Sequence, residues 1–139
     1  MGLFADLFNP KPDYVKNIIK KIEGYSVEKY PEVMTQIQSD AIYYAENEKN
    51  WKMIEKGYKD DNKDAEYYSL YYIYLSVKDA LNNGVFHEYA GIVGIEGNIA
   101  CGIGCDCLDR LFQLGFIQKE AAEDAKIHLK SLMSDIGIG

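Results

Sequence analysis

The chain has 139 residues, a length that suits one domain able to bury a core without metals or disulfides. Its 15 Lys and Arg against 22 Asp and Glu leave a formal net charge of −7, which argues against phosphate backbones and anionic membrane surfaces and favours encounter with basic partners. Tyrosine is in excess at 12 residues, and its rings, apolar in body and polar at the tip, suit either a core that reaches the surface or a contact surface.

The opening MGLFADLFNP spaces Leu3, Phe4, Leu7 and Phe8 as an amphipathic turn over residues 1–10, ended by Asn9, Pro10 and Pro12, and we expect it to plug a groove on its own domain. It lacks a basic signal-peptide start, and Asp6 stands where N-myristoylation requires Ser or Thr. With three cysteines, an odd number, the expectation is a reducing, cytoplasmic location and free thiols. No apolar run approaches the length of a membrane span.

A first helix is predicted from Lys11 to Glu23, with Val15, Ile18, Ile19 and Ile22 as its inner stripe and Gly24 as its stop. Pro31 opens a longer one on Met34, Ile37, Ala41, Tyr44, Glu48, Trp51, Glu55 and Tyr58, in which Asn47 or Asn50 is a candidate break. The polar connector KDDNKD leads into DAEYYSLYYIYLSVKDALNNG. Tyr67, Tyr68, Tyr71, Tyr72 and Tyr74 crowd this stretch, and its apolar positions run most of the way round a helix, leaving Ser69 and Ser76 as a small polar face. A helix of that kind is a central one, covered by others.

Residues 85–98 are expected as helix fragments or a buried loop, because a strand over Gly91 to Ile95 would have no partner. A helix from about Asn98 then carries Ile99, Ile103, Leu108, Leu111, Phe112 and Leu114, ended by Gly115 with Phe116 and Ile117 packing back. The last helix, Gln118 to Met133, turns Ala121, Ala122, Ala125, Leu129, Leu132 and Met133 inward, and 134–139 form a loose tail. Residues 1–139 thus read as a single all-α domain, a bundle of five or six helices around the Tyr-rich helix at about 64–83.

Specific chemistry is sparse. Cys101 and Cys105 share a helix face while Cys107 points nearly opposite, so one regular helix cannot offer three thiolates to a tetrahedral zinc, and we read them as small core residues. The glycines at 91, 94, 97, 102 and 104 fit neither a Walker loop nor a dinucleotide fingerprint. The glycines at 91, 94, 97 and 104, with Ala90, Ala100, Cys101 and Cys105, form a small-residue floor for the tyrosine helix. Aligning Asp60, Asn62 and Asp64 with a calcium loop leaves Ala65 at the turn glycine and Tyr71 at the bidentate glutamate, which rules against that site. Arg110 is expected to pair with Asp106 or Asp109, and His128 reads as a surface or boundary residue.

Trp51 and Tyr58, ringed by Glu55, Asp60, Asp61, Asp64 and Glu66, form the candidate partner-binding surface: aromatic anchors among acids suit a basic protein. We therefore expect a non-catalytic contact protein of inhibitor or immunity type, with no cofactor and no metal. The alternative is a small enzyme or ligand binder whose pocket lies between the Tyr-rich helix and the Gly/Cys region, using His87, Tyr71, Tyr74, Cys101 and Cys105.

Overall fold

A computed structural model of the chain describes residues 13–25, 30–47, 62–89 and 92–135. The expected N-terminal turn, the candidate partner-binding residues Trp51, Glu55, Tyr58, Asp60 and Asp61, and residues 136–139 of the tail expected at 134–139 lie outside the described residues, as do the side chains of Asp64 and His87. The described elements are α1 (Asp13–Gly24), α2 (Pro31–Glu46), α3 (Asn62–Asn82), β1 (His87–Tyr89), β2 (Ile92–Val93), α4 (Ile95–Gln113) and α5 (Lys119–Asp135). The architecture is a helical bundle in which α3 touches each of α1, α2, α4 and α5.

Each helix follows from its apolar spacing. In α1, Val15, Ile18 and Ile22 are buried while Lys16, Lys20 and Glu23 face out. In α2, Pro31 takes the first turn, where its missing N–H is no loss, and Val33, Met34, Ile37, Ala41 and Ala45 line the inner face. Asn47 ends α2: its backbone is extended, with ψ 127°, and its N–H donates to the carbonyls of Tyr43 and Tyr44. Asn47 is thus the break that the sequence offered, and residues 48–58 lie outside the described residues.

Around α3, size rather than polarity decides what faces inward. Ser69 and Ser76, the small face of a helix otherwise apolar nearly all round, are 0% and 1% exposed, whereas the larger Tyr71 is 36% exposed. Each serine hydroxyl donates to a carbonyl of its own helix, Ser69 to Glu66 and Ser76 to Tyr72, both at 2.9 Å, so burial leaves no donor unmet. Small satisfied residues let neighbouring helices come close, and of the five rings only Tyr72 is buried, Tyr67, Tyr68, Tyr71 and Tyr74 lying at the flanks. Leu70, Ile73, Val77 and Leu81 fill the core beside them, each contributing about 1.5–3 kcal/mol by burial.

Both α3 and α4 end on a glycine in left-handed conformation, Gly84 at φ 75° and Gly115 at φ 82°. In each case the N–H of the following residue reaches back five positions, Val85 to Ala80 and Phe116 to Leu111, both at 2.9 Å. Phe116 then packs on Tyr67 with ring centroids 5.1 Å apart, tying the α4–α5 turn to α3.

The segment after Gly84 corrects the expectation of helix fragments or a loop. β1 and β2 pair antiparallel, His87 opposite Val93 and Tyr89 opposite Ile92. The partner thought missing is the immediately preceding His-Glu-Tyr, and antiparallel pairing needs no longer connection. Gly94 then caps α4, which begins at Ile95, three residues before the predicted Asn98, whose side-chain amide donates to the Gly94 carbonyl at 3.1 Å.

The small-residue floor is present on α4, where Gly97, Ala100, Cys101, Gly104 and Cys107 are buried. At Gly104 a Cβ would lie 2.8 Å from Leu129 Cδ1 and 3.0 Å from Val77 Cγ1. Val77 is β-branched and cannot swing aside within a helix. Gly104→Ala should therefore lower stability by about 1–2 kcal/mol in a urea melt although alanine is the better helix former. Gly102→Ala, two residues away with nothing within 4 Å of the added carbon, should raise it by up to about 1 kcal/mol.

Candidate functional site

Concavities flank α3 on different sides. The first lies where α2 and the C-terminal end of α3 meet. Asp40, Tyr43 and Tyr44 recur at three- and four-residue spacing on α2, opposite Ser76, Asp79, Ala80 and Asn83 on α3, and Val85 closes one side of a cleft of about 200 Å³. Tyr43 stands 69% exposed and meets the Tyr44 ring edge-on, with centroids 6.5 Å apart. Tyr44 in turn stacks on the buried Tyr72 at 6.3 Å and 4°. The outer aromatic surface is thus braced by the core.

The charge in this cleft is one-sided. Asp40 accepts only the amide of Gln36, at 3.3 and 3.4 Å, and among the described residues neither Asp40 nor Asp79 has an ion pair. Burial, and then the Asp40 charge, push the Asp79 carboxyl above the usual range. Asp79 also sits in the last turn of α3, which carries no basic residue and where the helix dipole disfavours an anion.

The second concavity, of about 270 Å³, lies between α3 and α4. Leu70, Ile73, Met34 and Ile103 line it, with Tyr25, Asp106, Cys107 and Arg110 around them. It occupies the place expected for a pocket between the Tyr-rich helix and the Gly/Cys region, but Tyr71, Tyr74, Cys101 and Cys105 do not line it. Tyr71 and Tyr74 instead join a run of rings along the flank of α3, their centroids 6.3 Å apart.

The acids named from sequence divide. Glu66 lies between Lys21 at 3.6 Å and Arg110 at 3.8 Å, bound within the molecule. Arg110 therefore reaches α3 rather than Asp106 or Asp109, and Asp109 instead holds Lys126 of α5 at 2.8 Å. That pairing, first among its causes, raises the Lys126 pKa. Asp40, Asp79 and Tyr43 were not singled out by sequence reasoning. Asp40 and Asp79 are 39 positions apart, and no local pattern brings them together.

Thiol chemistry has no support. Burial pushes Cys101 up to about 11 and Cys107 up to about 12, and Cys105 is raised for the same reason, so all three are neutral thiols near pH 7. His128 is exposed on α5, and among the described residues no three His, Cys, Asp or Glu side chains converge as metal ligands. In a timed iodoacetamide reaction at pH 8 followed by mass spectrometry, Cys107 should alkylate last and at least about tenfold more slowly than in urea, with half-buried Cys105 first.

Comparison of the chain with protein-family models, with curated proteins and with solved structures found no match.

Proposed function

We propose that the chain is a non-catalytic contact protein that holds or neutralises a basic protein partner, as an inhibitor or immunity-type protein does, and that Asp40, Asp79, Tyr43 and Tyr44 form the centre of its contact surface. The observation that carries this reading is the pair of carboxylates left without a cation beside an exposed, braced tyrosine. A lysine or arginine entering the cleft gains two charge partners and an aromatic wall at once. The net charge of −7 adds long-range attraction for such a partner. No described helix is long and apolar enough to cross a membrane, and we place the protein in the cytoplasm as part of the same proposal.

Asp79 also carries a stability cost that suits a binding role, since a partly desolvated anion at a helix C-terminus is tolerated where its charge is used. Its folded-state pKa is raised, so that cost is absent below the ordinary carboxylate range and complete above the folded-state value. Asp79→Asn should accordingly raise the melting temperature by about 1–2 °C at pH 7 and leave it unchanged at pH 3, measured by circular dichroism.

The function is tested by affinity capture with the full chain at two salt concentrations. Wild type should retain basic proteins at low salt and release them as the screening length shortens. Asp40→Asn with Asp79→Asn should bind the captured partner at least about tenfold more weakly at unchanged or higher melting temperature. Equal retention by the double variant would rule out this surface.

A further inference from the structure

The α3–α4 cavity lies on a different part of α3 from the acidic cleft and calls for a different occupant. We propose that it is a binding site for an uncharged small molecule with a flat, bicycle-sized apolar body and one hydroxyl or carbonyl group. Its volume is about 270 Å³, and it opens to solvent past half-buried Tyr25 and exposed Asp106 and Arg110. A dry cavity of about 150 Å³ already accepts benzene, so this one has room for a larger ring system.

The walls set the apolar part. Leu70 and Ile73 belong to the buried core, Ile103 is half-buried, and Met34 is an unbranched side chain that adapts to irregular shapes. The rim sets the polar part. Gln38 donates its amide to the carbonyls of Ile22, at 3.0 Å, and of Tyr25, holding the end of α1 so that Tyr25 stays at the cavity. The Tyr25 hydroxyl has no hydrogen-bond partner among the described residues, and burial pushes its pKa up to about 12, so it remains a neutral donor and acceptor.

Charge at the rim excludes ions of either sign. Arg110 and Lys21 share Glu66, and Asp106 stands beside Arg110 on the cavity wall, two positive groups against two negative. A carboxylate or an ammonium would meet a like charge and shed its hydration against a rim of no net charge. A neutral ligand avoids both penalties. A neighbouring depression, lined by Lys21, Gly24, Tyr25 and Glu66, shares Tyr25 with the cavity.

The test titrates the full chain at pH 7 with 2-naphthol, 2-naphthoate and 2-naphthylmethylammonium, followed by calorimetry and amide chemical shifts. 2-Naphthol should saturate one site, move the amides around Tyr25, Ile73 and Ile103, and bind at least about tenfold more tightly than either ion. Ile103→Phe fills the cavity and should abolish that binding. Tyr25→Phe, at a half-exposed position where the fold does not depend on the hydroxyl, should weaken it about five- to tenfold. No saturable binding of 2-naphthol, an ion binding as tightly, or full affinity in folded Ile103→Phe would each overturn the proposal. Should Ile103→Phe fail to fold, unchanged affinity in Tyr25→Phe overturns it alone.

Discussion

The bundle depends on how closely α3 and α4 can approach. Gly104 presents bare backbone to Val77 and to Leu129 of α5, with no room for even a methyl group. Buried Gly97 and Ala100 extend the same low surface along α4. Because α4 puts no side chain between its backbone and Val77, α3 packs directly on it with gain of dispersion contacts, and Leu129 of α5 reaches the same residue. This contact leaves most of the α3 rings nowhere to go but sideways.

That displacement explains the distribution of the tyrosines. Ser69 and Ser76, silent in water because their hydroxyls are bonded within the helix, take the inward positions. Tyr67, Tyr68, Tyr71 and Tyr74 fan around the flanks and, with buried Tyr72, form a chain of ring contacts that reaches Phe116 at one end and Tyr44 and Tyr43 at the other. Pairs of this kind add about 0.5–1.5 kcal/mol each beyond burial. They also carry the rigidity of the core outward, so that Tyr43 projects from a braced ring rather than from a free helix end.

Electrostatics sorts the acids into structural and unspent. Glu66 and Asp109 tie helices together through Lys21, Arg110 and Lys126, interactions worth little individually at partly exposed positions but useful in setting helix register. Asp40 and Asp79 face one another with no cation among the described residues. In a chain this acidic the lysines are too few to answer every carboxylate.

Much of the architecture was legible in the sequence. The 3.6-residue recurrence of Val15, Ile18 and Ile22, the proline at the start of α2, and the glycines at 84 and 115 act through local backbone chemistry, and each does in the fold what its neighbours imply. The all-α class and the small-residue floor on α4 follow from the same kind of signal. What local chemistry cannot contain is which face of α3 turns inward, since a helix apolar nearly all round has no preferred face until its neighbours choose one, and here they chose the serines. Nor does it contain the meeting of Asp40 with Asp79, or of Tyr25 with Arg110, because these come from different helices and only the packing of α1, α2 and α4 against α3 brings them together. Helix formation was decided within a few residues of chain; the candidate sites were decided by long-range contact, where side-chain volume outweighed polarity.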